Sequence, residues 1–91
     1  MNLRIGGPAV TSLDAVHAQI AETPGVPDWY GRNLDALSDL LGAGHRRVEL
    51  IAARALHDAL GEDDFDRLWA TLVDAAVENP KLELIWGASV G

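Results

Sequence analysis

The chain has no cysteine, which excludes a disulfide framework and any thiolate-ligated metal. Aromatic side chains are scarce, with three Trp, one Tyr and one Phe among 91 residues, so the core has to be built from aliphatics. Bases are in deficit: seven Lys and Arg stand against fourteen Asp and Glu, for a net charge of −7. A nucleic-acid-binding face needs the opposite balance to offset phosphate charge. No apolar run approaches membrane-spanning length. The opening Met1-Asn2-Leu3-Arg4-Ile5-Gly6-Gly7 lacks the apolar stretch of a secretory signal. A cytoplasmic protein is the expectation that follows.

What is present is 48% hydrophobic residues, enough for a globular chain with one modest core, expected as a single domain over residues 1–91. There are no repeats, linkers or low-complexity segments. Residues 2–5 read as a strand stopped by Gly6-Gly7-Pro8. Thr11 or Ser12 can cap a helix in which Leu13, Val16 and Ile20 recur at helical spacing. Pro24, Gly25, Pro27 and Gly31 mark a loop over 24–32. Asn33 is an N-cap for a second helix over 34–42, with Leu34, Leu37, Leu40 and Leu41 on one side. The apolar run 48–52 suits a buried strand, and a short helix around Leu56 and Leu60 ends at Gly61. Glu62, Asp63 and Asp64 occupy the favourable first turn of a fourth helix, whose apolar stripe is Phe65, Leu68, Trp69, Leu72 and Ala76. Asn79-Pro80 ends it, and residues 82–86 form the last strand. The order β-α-α-β-α-α-β predicts an α/β fold, a small three-stranded parallel sheet packed with about four helices. Such a fold is too small for a deep pocket, so function belongs on its surface.

The stretch VPDWYGRNLDALSDLL, residues 26–41, is the unusual one. At about 100° per residue, Asp35 and Asp39 fall opposite the leucines, with Ala36 and Ser38 nearby. Carboxylates at i and i+4 repel, weakening an isolated helix by ~0.2–0.5 kcal/mol. Asp35 can serve the helix dipole in the first turn. Asp39 lies beyond that turn and has no such folding role. The same arithmetic sets Asp74 and Glu78 opposite Phe65, Leu68 and Leu72 on the fourth helix. If the outer faces of helices two and four adjoin, the acids form one patch rimmed by Trp29 and Tyr30. Exposed acids beside an aromatic loop fit a protein-binding surface, where aromatics are enriched.

Other candidates have plainer readings. His17 and His57 sit on different predicted helices without a second ligand at metal spacing, so both are expected to be structural or solvated, and no metal or cofactor is expected. His45-Arg46-Arg47 reads as a solubilising cluster before the second strand, and Gly42-Ala43-Gly44 as a helix cap and turn. An enzyme using Asp35, Asp39, Asp74 and Glu78 would need a base or nucleophile that the sequence does not supply.

The segment from Pro27 to Leu41, dense in Trp29-Tyr30-Gly31, Asn33-Leu34-Asp35-Ala36-Leu37 and Asp39, resembles the signature of the barstar family. These are intracellular inhibitors of secreted bacterial ribonucleases. The likeness is looser elsewhere, though it runs through the whole element order. It implies that the second helix and the loop before it plug the active site of a small basic ribonuclease, one-to-one. By position, Asp39 would stand in for an RNA phosphate, and Asp35 would face the guanine-recognition side. Trp29, where a tyrosine is familiar, would pack on the enzyme's catalytic histidine. Gly31 and Asn33 would supply loop-edge contacts, and Asp74 would replace an interface glutamate. Ser38 departs from the family's large aromatic, as does the aromatic-free turn Gly42-Ala43-Gly44-His45. These departures imply a differently rimmed enzyme, such as a guanyl-specific ribonuclease of the actinomycete type. The alternative they leave open is an interaction module of the same fold for a toxin or regulatory protein.

Overall fold

The computed structural model describes residues 1–87. The expected single domain over 1–91 includes residues 88–91, which lie outside those described. Three strands, β1 (Asn2–Gly6), β2 (Arg46–Ile51) and β3 (Leu82–Trp86), alternate with four helices. The helices are α1 (Leu13–Ala21), α2 (Leu34–Leu41), α3 (Ala53–Leu60) and α4 (Glu62–Glu78). The sheet is parallel throughout in the order β1-β2-β3, with Leu3 beside Val48 and Val48 beside Leu84. The α/β architecture expected from the sequence is the one observed.

Strand alternation decides where the core lies. Leu3 and Ile5, Val48 and Leu50, and Leu82 are buried, whereas Asn2, Arg4, Arg47 and Glu83 between them are exposed. The helices therefore cover one face of the sheet, and the other meets water. Val16 and Ile20 of α1, Leu37, Leu40 and Leu41 of α2, and Phe65, Leu68 and Leu72 of α4 complete the core. That is the aliphatic interior the aromatic deficit required.

The second strand differs from its expected bounds of 48–52: it begins at Arg46 and ends at Ile51. The cluster expected to precede it lies partly within it. Arg47 projects from the open sheet face, where charge costs nothing in desolvation, so the apolar run marks only part of the strand. Arg46 turns back, donating through Nε to the Leu40 carbonyl at 3.0 Å. Gly6 ends β1 with φ of +126°, and a Cβ there would collide with the Ile51 carbonyl oxygen. Only glycine fits that turn.

Candidate functional site

The loop between α1 and α2 is fastened from beneath by a single aromatic. Tyr30 is 6% exposed, and its hydroxyl lies 2.6 Å from Nδ1 of His17 on α1. No other partner reaches that hydroxyl among the described residues, and the imidazole tautomer sets which of the two donates. Burial pushes His17 below its ordinary value of 6.5, partly opposed by the nearby Asp14 carboxylate, and so favours the neutral imidazole. The same burial pushes Tyr30 up to about 12. The expectation that Tyr30 rims an exposed patch with Trp29 is therefore corrected: its ring completes the core and its hydroxyl satisfies a buried histidine. Trp29 turns the other way and is 66% exposed.

The turn into α2 is built by Asn33. Its Oδ1 accepts from the Ala36 amide at 2.7 Å, and its Nδ2 donates to the Gly31 carbonyl at 3.3 Å. One side chain thus caps the helix and closes the turn before it. Inside the turn spanned by the Gly31 bond Arg32 adopts φ of +56°, a left-handed conformation rare for a residue with a side chain.

Burial of Leu37, Leu40 and Leu41 turns Asp35 and Asp39 outward, and both are exposed, with Ser38 half-buried between them. The far end of α2 is held from two sides. Arg46 reaches the Leu40 carbonyl, and Asn79 Nδ2 donates to the carbonyls of Leu41 at 2.9 Å and Gly44 at 3.0 Å. Asn79 is buried and also accepts from the Lys81 amide. Periodicity marked Asn79 only as a helix stop; its partners lie 38 and 35 residues away.

These contacts orient α4. Arg67 shares a cavity with Leu34 and Asp35 at the start of α2, and Asn79 meets its end. The two helices therefore run side by side in the same direction, and exposed Asp74 lies on α4 between those two anchors. Gly31 is exposed at the loop edge. Asp14 and Arg32, which sequence reasoning did not single out, open onto the same cavity of about 330 Å³ as Asp35. No local signal marks them, because the cavity joins segments of α1, the loop, α2 and α4.

His57 leans edge-on against Phe65 with ring centroids 4.9 Å apart, away from this region. Among the described residues no group of three or more His, Asp or Glu is arranged to hold a metal ion, and no helix is long and apolar enough to cross a membrane. What the surface offers is a rigid, water-facing pair of carboxylates one helical turn apart, with an indole projecting from the loop that precedes them.

The family model described as barstar, the barnase inhibitor, matches residues 1–86. The chain belongs to the Barstar family. It is accordingly a barnase-inhibitor-like protein, from a family of inhibitors rather than enzymes. No curated protein matches it. In this Barstar-family chain, the helix that carries Asp35 and Asp39 is braced at both ends, by Asn33 at the start and by Arg46 and Asn79 at the finish.

Proposed function

We propose that this protein is a cytoplasmic inhibitor that binds a small basic secreted ribonuclease one-to-one and blocks its active site with α2 and the loop before it. The observation that carries the reading is Asp39. It is exposed in the last turn of an eight-residue helix, where a carboxylate opposes the dipole. The fold gains nothing from it there, while a cationic cleft built for phosphate would.

In this reading Asp39 takes the place of an RNA phosphate and accepts charge-assisted hydrogen bonds from the enzyme's cations. Asp35 serves the guanine-recognition side of a barnase-like or actinomycete guanyl-specific enzyme. Trp29 lays its exposed ring on the catalytic histidine, with Gly31, Asn33 and Ser38 at the contact and Asp74 at its rim. Tyr30 contributes from below, by holding the loop through His17. Preorganisation by Asn33, Arg46 and Asn79 spares α2 an ordering cost on binding.

The test is titration of guanyl-specific ribonucleases, barnase first, with the intact protein, Asp39→Ala and Asp74→Ala. Stoichiometric inhibition by the intact protein is expected. Asp39→Ala should lose about 3–5 kcal/mol of binding, the cost of leaving the enzyme's desolvated cations unpaired. Asp74→Ala should lose at most ~1 kcal/mol, as a solvated rim charge does. Asp39→Ala should melt no lower than the intact protein, which separates a binding defect from misfolding. Equal losses for the two variants would sink the phosphate-mimic assignment. The small residues at Ser38 and Gly44 favour, as second reading, a module for a non-ribonuclease partner; failure to inhibit any enzyme of the panel would select it.

A further inference from the structure

The candidate surface is not uniformly acidic. The cavity beside the first turn of α2 is walled by Asp14 of α1, Asp35 of α2, Arg67 of α4 and Arg32 of the loop. Two cations and two anions share this space without pairing across it. The ion pairs among the described residues are His57 with Asp58 and Arg67 with Asp64. The second spans 3.8 Å between largely exposed side chains, too loose and too wet to occupy the guanidinium.

Arg32 is the least explained of the four. Its backbone is left-handed at φ of +56°, inside the turn that the Asn33 side chain closes onto the Gly31 carbonyl. Its guanidinium makes no ion pair among the described residues. A strained backbone that presents an unused cation at a rigid surface is the mark of a contact completed by something else.

We propose that Arg32, flanked by Arg67, reads a carboxylate of the partner, so that this surface selects a ribonuclease carrying an acidic side chain beside its cationic cleft. The proposal rests on the inhibitor reading above. The guanidinium fork matches a carboxylate in two parallel hydrogen bonds. Across the cavity, Asp14 and Asp35 take a cationic side chain. Such alternation fixes register, and it rejects enzymes that leave Arg32 desolvated and unpaired. An inhibitor whose contact surface were wholly negative could not discriminate among basic enzymes in this way.

The experiment compares the wild-type chain, Arg32→Glu and Arg32→Asn against whichever ribonuclease of the panel the wild type inhibits most tightly. Asparagine tolerates the left-handed backbone and removes the guanidinium without adding an opposite charge. Melting curves for all three proteins check that the fold is kept. Arg32→Glu is expected to bind at least tenfold more weakly at low ionic strength, with a smaller loss for Arg32→Asn. Equal or tighter binding by Arg32→Glu overturns the proposal, because a surface facing only cations gains from another acid. If the wild type inhibits no enzyme of the panel, the inhibitor reading falls and this inference with it. If the wild type inhibits and Arg32→Glu matches it, this inference alone falls.

Discussion

The pairing of His17 with Tyr30 sets how the loop under the candidate site responds to pH. The folded chain holds His17 neutral, because burial disfavours the imidazolium more than Asp14 favours it. In the unfolded chain the ring titrates near its ordinary 6.5. Between the two pKa values the unfolded state binds more protons, so stability falls as pH drops. The contribution is complete above 6.5 and is lost below it as the unfolded imidazole charges. The expected outcome is a lower urea midpoint at about pH 5.5 than at about pH 7.5, above the range where most carboxylates titrate. His17→Gln, whose amide can either donate to or accept from the Tyr30 hydroxyl, should flatten that dependence. A wild-type midpoint that holds steady over this range would show that the imidazole is as easily protonated folded as unfolded. Tyr30 itself, at about 12, does not titrate there. The reason a lone tyrosine in a Pro/Gly loop turns inward is thus chemical: a buried imidazole nitrogen needs a hydrogen-bonding partner, and the phenol brings both that partner and a ring for the core.

At the scale of elements, α2 is short, and its placement depends on what holds its ends. Eight residues are too few for stable isolated helix. Its leucine face supplies burial, but its last carbonyls are satisfied by Arg46 and Asn79, which arrive from β2 and from the end of α4. Asn79→Ala removes the donor to Leu41 and Gly44 and the acceptor for the Lys81 amide, leaving the buried Leu41 carbonyl unpaired. The expected loss is about 1–3 kcal/mol of stability, since an unsatisfied buried polar group costs that much. Chemical denaturation measures it, and a change within ~0.5 kcal/mol would mean that water replaces the amide. This contact also shows where the sequence stops being legible. The Asn33 cap, the leucine face and the outward acids of α2 follow from spacing within a dozen residues, and the structure has them there. Asn79 joins groups 38 and 35 residues away, and Tyr30 joins one 13 residues away. Local pattern carries no record of such partners. The start of β2 is obscured for another reason: Arg47 faces the open side of the sheet and Arg46 finds the Leu40 carbonyl, so both break the apolar run without breaking the strand.

Over the whole molecule the charge of −7 is unevenly spread. His45, Arg46, Arg47 and Lys81 gather around one cavity at the amino ends of β2 and β3, with Glu83 the one acid in its wall. The acids are correspondingly concentrated elsewhere, including the exposed residues of α2 and α4. A basic enzyme approaching this field is attracted from beyond contact distance, and the field orients it toward the acidic side. Raising ionic strength from ~0.01 to ~0.15 M shortens the Debye length from ~30 to ~8 Å, which removes the attraction before contact but not the short-range pairs. The association rate should therefore fall by about tenfold or more over that range, within the span that steering supplies. The dissociation rate should change far less, because it reads desolvated contacts. Stopped-flow mixing at several salt concentrations gives both. Arg47→Gln and Lys81→Gln add a sharper condition. Each removes a positive charge outside α2 and its loop, so each should raise the association rate at low salt and leave dissociation unchanged. If both substitutions instead speed dissociation, the basic pole touches the partner, and the ribonuclease covers more of the molecule than α2, its loop and α4.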